Sequence, residues 1–278
     1  MERRSVDVVV LSDIHLGTYG CKAKELLNYL QSIQPGLLIL NGDIIDGWQF
    51  SKSFFPSIHM QVIKELMRFL SQGTRVIYIT GNHDEMMRKY SDLQIGNFTL
   101  TDKMVIEIDH KMTWIFHGDV FDNTTQGSAR MIAKLGSNGY GLLILFNRMI
   151  NAMLAFIGRE KISISKKIMA GVNKAVAKVN DLEQIAASIA INKKYDYVIC
   201  GHIHQPSIRN IENEEGKVVY MNSGDWVEHM TALEYTEKNW RLFYYDPKDY
   251  PVSDQKETKQ SLNVITDDIS FHVSAIPV

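Results

Sequence analysis

The chain has 278 residues, with 30 Lys and Arg against 32 Asp and Glu, a formal charge of −2. Hydrophobic residues make up 45% and charged residues 22%, the balance of a folded globular chain and not of a disordered or fibrous one. The near-zero charge excludes a uniformly basic, nucleic-acid-coating surface, and two cysteines, Cys21 and Cys200, exclude a disulfide framework and point to a reducing compartment.

In chain order, residues 6–11 form a β-branched apolar run that stops before Asp13, too short for a secretory signal, so secretion is not expected. Residues 37–40 and 76–80 are similar runs, each followed by Gly, Asn or Asp. Continuous apolar runs suit strands buried on both faces. Between them Leu26, Leu30 and Ile33 share one helical face. Ile58, Val62, Leu66 and Phe69 or Leu70 share another, closed by Gly73. This alternation of strand and helix implies a layered α/β core. Residues 105–108 and 113–116 read as paired strands joined by 109–111.

Beyond Asp122 the character changes. Residues 130–178 carry nine basic residues and one acid, Glu160, a charge of +8 that leaves −10 for the rest of the chain. Within this segment residues 140–158 are almost wholly apolar, with Asn147, Arg148 and Asn151 on one narrow helical face. Those polar residues make a transmembrane helix marginal. A packed core helix is the ordinary alternative, but the apolar strip is wider than one packed face requires and suits acyl chains or a membrane surface. The core pattern returns with a helix at 181–194, where Asp181 and Gln184 fit the N-cap and N3 positions of a capping box. Residues 197–200 read as a strand, and 208–211, 218–221, 230–235 and 240–245 as a closing β-meander. The domain reading is therefore a core of 1–122 and 181–250, a helical insertion at 123–180 and a tail at 251–278.

Five segments place polar side chains just after these strands: Asp13-Ile14-His15, Gly42-Asp43, Gly81-Asn82-His83-Asp84, His117-Gly118-Asp119 and Gly201-His202-Ile203-His204. In open α/β sheets ligands collect at the carboxyl ends of strands. Asp-x-His or His-x-His on a turning strand end can aim two donors at one metal or at two neighbouring ones. A carboxylate such as Asp43 has two oxygens and can bridge two cations. Oxygen and imidazole donors without thiolates favour manganese, iron or zinc. Each piece alone is weak, since Asn82 by itself is a plain turn former and a single His-x-His is usually structural. Together they hold five of the nine histidines, which makes coincidence a poor explanation.

The ordered set D-x-H, G-D, G-N-H-D, H-G-D, G-H-x-H resembles the calcineurin-like metallophosphoesterase family, from about Val6 to about Trp226. The resemblance implies a four-layer αββα sandwich and two divalent metal ions, manganese first, with iron or zinc as alternatives. It implies that Asp13, His15 and His204 hold one metal, that Asn82, His117 and His202 hold the other, and that Asp43 bridges them. Two cations about 3.5–4 Å apart activate water and neutralise phosphate oxygens during in-line attack. His83 would then serve as general acid or as a cation holding the phosphate, with Asp84 orienting it and Asp46 and Asp119 supporting the site.

Within that family, a helical insertion between the H-G-D and G-H-x-H motifs resembles the UDP-2,3-diacylglucosamine pyrophosphatases of lipid A synthesis. That likeness implies a lipid-linked nucleotide substrate, a cap for its acyl chains and a peripheral position on the cytoplasmic face of a bacterial inner membrane. It implies neither a nucleic-acid nor an obligate protein partner. Arg159, Lys166, Lys167 and Lys174 are candidates for the substrate's phosphates or uridine. One departure is plain: the best-known branch has Arg where this chain has His83. The alternatives are another phosphoesterase acting on nucleotides, phospholipids or nucleic acid, and a non-catalytic scaffold.

Overall fold

The computed structural model describes residues 3–48, 54–121 and 182–250. Among them, two sheets pack face to face with helices outside. The larger has seven strands, in the spatial order 239–244, 231–236, 4–11, 33–41, 75–79, 98–101 and 93–95, and the smaller five, in the order 103–108, 111–116, 197–200, 216–222 and 207–213.

The first run becomes β1 (Arg4–Leu11), flanked by β2 (Ile33–Asn41) in parallel register, with Val9 opposite Leu38. β3 (Arg75–Ile79) continues the parallel block, so β1, β2 and β3 all end at one edge. These strands are buried on both faces, as their unbroken apolar runs require. Val8, Val10, Ile39 and Ile77 meet Ile115, Ile199 and Met221 of the smaller sheet. Val9, Leu11, Leu38 and Leu40 pack against Leu26, Leu30, Val62 and Phe69 of helices α1 (Ala23–Ser32) and α2 (Ser57–Ser71). A third helix, α3 (182–192), covers the other sheet through Ala186, Ala187 and Ala190. These small residues let the helix lie close to Val198 and Tyr220. The layer order is αββα.

Most expected elements form. The strand at 197–200 is β8 (Tyr197–Cys200), and Gly73, at φ +88, follows α2 in the left-handed conformation that ends a helix. The hairpin of β6 (Lys103–Ile108) and β7 (Lys111–Phe116) turns on Asp109 and His110, both at positive φ, the geometry a two-residue turn demands. Two expectations need correction, and one hairpin lies beyond them. Ile33 opens β2 and does not lie on α1. A short hairpin, β4 (Leu93–Ile95) and β5 (Phe98–Thr101), was not expected; β5 extends the parallel block beside β3. The closing strands are not one meander. β9 (Ser207–Asn213) and β10 (Gly216–Asn222) belong to the smaller sheet, β11 (Thr231–Thr236) and β12 (Asn239–Tyr244) to the larger. The loop between them crosses from sheet to sheet, tied by Thr231 Oγ1 donating to Ser223 O at 2.7 Å and by Ser12 Oγ at 2.7 Å from Ser223 Oγ.

Away from that edge, Glu234 of β11 is fully buried and accepts from Arg4 at 2.8 and 2.6 Å, from Tyr29 at 3.0 Å and from Arg241 at 3.1 Å. Burial works against its charge, but Arg4, Tyr29 and Arg241 together outweigh it and hold the carboxyl below its ordinary value. A depressed folded pKa stabilises above the unfolded value, and that stability is lost as pH falls through the folded one. Glu234→Gln is therefore expected to cost about 1–3 kcal/mol in urea unfolding at pH 7. The gap from wild type should shrink at about pH 4, near the unfolded carboxylate value; equal gaps at both pH values would refute the ion-pair account.

The insertion at 123–180, the tail at 251–278, Asp122, and the capping residue Asp181 lie outside the described residues, as do Arg159, Lys166, Lys167 and Lys174.

Candidate metal centre

All five motif segments leave strands at the same edge: after β1, β2, β3, β7 and β8. The two sheets are stitched there by polar contacts. Asn41 Nδ2 donates to Phe116 O at 3.1 Å and His202 N to Asp13 Oδ2 at 3.0 Å, while within the smaller sheet Asn222 Nδ2 donates to Gly201 O at 2.7 Å. Asp13, His15, Asp43, His202 and His204 all sit at φ between +53 and +67, a region that costs a side-chain-bearing residue energy. Such strain concentrates where side chains must be aimed. Gly42 makes the aim possible: at φ +81 it turns the chain after β2, and a Cβ there would strike the His117 ring.

Three groups of donors converge, each with its ligand atoms within 4.8 Å of one another: Asp13, His15 and His204; Asp43, His117 and His202; and His15, Asp43 and His83. His204 Nε2 lies 3.2 Å from Asp13 Oδ1 and 3.4 Å from His15 Nε2. Asp43 Oδ2 lies 3.3 Å from His117 Nε2 and 3.9 Å from the Nε2 atoms of both His15 and His83. Asp43 Oδ1 accepts the His83 backbone N–H at 2.8 Å. Oδ2 is therefore the oxygen turned toward all three rings, and a bridge would run through it.

The inner atoms are not satisfied by one another. Asp13 Oδ1, His117 Nε2 and Asn82 Oδ1 are buried without an aligned hydrogen-bond partner. Buried polar atoms are almost always paired, so three orphans at one edge mark a place for a ligand that takes lone pairs. The outer atoms, by contrast, are held. His117 Nδ1 lies 2.9 Å from Asn41 O and His15 Nδ1 3.2 Å from Asp46 Oδ2, which directs both Nε2 atoms inward. Charge gives the same answer. Burial alone would lower the His117 and His204 pKa values, yet Asp43 and Asp13 raise them to about 10 and about 9. Burial opposes the charge of Asp13, but His204 outweighs it and holds the carboxyl at about 2. The carboxylates demand positive charge at this edge. A divalent cation meets that demand in place of protons, and the neutral imidazole and carboxylate donors fit one.

His83 sits beside the groups, not behind them. Its ring lies tilted against Trp48 at 4.1 Å between centroids, and Nδ1 lies 2.8 Å from Asp46 Oδ2. Asp84 does not orient His83, contrary to the sequence expectation. Its oxygens accept from Gly81 N at 2.5 Å, Ile44 N at 3.0 Å and the Tyr78 hydroxyl at 2.6 Å, so it fixes the backbone of two motif loops instead. Asp46 takes the orienting place for both His15 and His83. Asp119 is engaged by Arg88 at 2.6 Å. Sequence reading passed over Asp225, whose Oδ2 lies 2.6 Å from His229 Nδ1 and 3.7 Å from His204 Nδ1. The available signal was Gly224-Asp225, a Gly-Asp pair just after β10 that repeats Gly42-Asp43 after β2.

An αββα sandwich with histidines and aspartates gathered at one strand edge defines a metal-dependent hydrolase. The chain belongs to the calcineurin-like phosphoesterase family, whose sequence profile matches residues 6–206. Among curated relatives, the UDP-2,3-diacylglucosamine hydrolase of Blochmanniella pennsylvanica is 23% identical over 89% of this chain and 99% of its own length. That of Photorhabdus laumondii is 23% identical over 84% and 97%. Among solved structures, an archaeal phosphodiesterase aligns with a TM-score of 0.40 at 15% identity, over 85% of this chain and 98% of its own. No helix among the described residues is long and apolar enough to cross a membrane.

Proposed function

We propose that the chain hydrolyses the pyrophosphate of UDP-2,3-diacylglucosamine, releasing UMP and 2,3-diacylglucosamine 1-phosphate, with two divalent cations at the strand edge. Asp13, His15 and His204 hold the first, Asn82, His117 and His202 the second, and Asp43 lies between them. Manganese is the first choice, with iron or zinc as alternatives, because the donors are oxygen and imidazole. One observation carries the reading: the convergence of these groups with their inner lone pairs unsatisfied. Bound there, the cations supply an activated water and neutralise phosphate oxygens.

The chain's own groups do the rest. Burial would discharge His83, but Asp46 and Asp43 outweigh it and raise its pKa above the ordinary imidazole value, which favours the protonated ring a general acid needs. With Nδ1 at Asp46, Nε2 is the nitrogen that gives this proton to the departing oxygen. Trp48, packed against the ring, limits its rotation. The substrate is suggested by the curated relatives, which match along nearly their whole length. The basic, apolar segment at 123–180 suits an anionic lipid, with Arg159, Lys166, Lys167 and Lys174 meeting phosphate or uridine. The same segment suits a peripheral position at the cytoplasmic face of the inner membrane.

The purified chain with Mn(II) is expected to release UMP rapidly from UDP-2,3-diacylglucosamine. Cleavage of a bis-aryl phosphodiester or an oligonucleotide should be at least about a hundredfold slower in kcat/KM. Fast cleavage of either, with the lipid nucleotide untouched, would overturn the substrate assignment while leaving the hydrolase in place.

A further inference from the structure

The imidazoles of His15, His204 and His117 are backed differently. In the first donor group, His15 has Asp46 behind it and His204 has Asp225 behind it. In the second, His117 rests on a neutral carbonyl, that of Asn41. A carboxylate behind an imidazole makes it a better electron donor and fixes its tautomer. The Asp225–His204 distance is 3.7 Å, long for a hydrogen bond, so the direction of the carboxylate decides whether the contact can act.

That direction is set from the far side. Asp225 is fully buried at the start of the loop that crosses between the sheets. Its Oδ1 accepts the backbone N–H groups of Val227, Glu228 and His229, which fixes one oxygen to the loop. Its Oδ2 is shared between His229 Nδ1 at 2.6 Å and His204 Nδ1 at 3.7 Å. The loop itself is anchored to the β1 end, because Trp226 N donates to Asp13 O at 3.1 Å. His229 belongs to none of the three donor groups, and its side chain is one-third exposed. Asp46 offers an internal parallel: it too is shared between a grouped imidazole, His15, and a flanking one, His83.

We propose that His229 is a positioning residue: by fixing the Asp225 carboxylate behind His204, it selectively strengthens the first cation position. The proposal rests on the two-cation reading above.

The test is Mn(II) binding to the full chain, followed by calorimetric titration and by the EPR signal of free Mn(II). Wild type is expected to show two binding events, and the event that His204→Ala abolishes identifies the first position. His229→Ala should weaken that event about tenfold and leave the other unchanged, and Asp225→Asn should weaken it about 10–100-fold. His229→Asn should recover most of the loss, because its amide N–H can occupy the place of Nδ1–H. Equal urea midpoints for the metal-free wild-type and His229 variants would separate positioning from general loosening. If wild type binds two Mn(II) and His229→Ala binds both as tightly, or loses both equally, this inference is wrong and the two-cation reading stands. If wild type binds no Mn(II), the two-cation reading fails and takes this one with it.

Discussion

Asp43→Ala is expected to lower turnover by about 10³-fold or more and to strip the purified chain of paired cations. The carboxylate is 2% exposed, and its Oδ2 faces His15, His83 and His117 together. Burial opposes its charge, but His117 leads the imidazoles that hold its pKa well below the usual carboxylate range. Removing it deletes the negative charge between the two positions and leaves three imidazoles facing one another. Metal-derived stabilisation of a phosphoryl transition state amounts to several kcal/mol. Losing about 4 kcal/mol corresponds to about 10³-fold in rate. Asp43→Asn, which keeps the shape and the contact to the His83 N–H, should be almost as damaging, because it is the charge that the site lacks. Metal content after gel filtration and kcat on the lipid nucleotide check both. A variant that kept two equivalents of metal and wild-type turnover would remove Asp43 from between the cations.

His83→Ala has the next largest effect, and of a different kind. The ring is held by Asp46 and Trp48, and it joins a donor group only through Asp43 and His15. The variant should therefore keep both metals while kcat falls about 10²–10⁴-fold, the usual worth of a placed general acid. Leaving-group dependence separates proton donation from phosphate binding. An ester with a good leaving group, such as p-nitrophenolate, needs no proton and should lose much less. The pH profile carries a sign as well. A raised pKa extends the protonated range of His83 upward, so the alkaline decline of wild-type kcat should set in above the ordinary imidazole value, and this limb should vanish in the variant. Equal losses on good and poor leaving groups, with KM raised, would make His83 a phosphate-binding cation instead.

Much of this was legible in the sequence, for physical reasons. Strands buried on both faces write unbroken apolar runs, so β1, β2, β3 and β8 could be read from Val, Ile and Leu alone. Donor residues follow those strands and β7 directly, so Asp13, His15, Asp43, His117, His202 and His204 could be picked out together. What the sequence did not disclose depends on which elements meet in space. The hairpins β9–β10 and β11–β12 look alike in pattern, and only the cross-sheet loop at Gly224 assigns them to different sheets. Asp84 lies next to His83 in the chain, yet its oxygens face Gly81, Ile44 and Tyr78. The carboxylate that reaches His83 comes from Asp46, across from another strand end. Asp225 is more than twenty residues beyond His204, a separation no local pattern spans. Neighbours in sequence were mistaken for neighbours in space only where side chains had to choose among several loops.

The central claim is a pair of cations gathered by five strand ends, and anomalous diffraction from crystals grown with Mn(II) tests it most directly. Two peaks are predicted, about 3.5–4 Å apart. One should be ligated by Asp13, His15 and His204, the other by Asn82, His117 and His202, with Asp43 Oδ2 touching both. A single peak, or peaks coordinated by other residues, would contradict it.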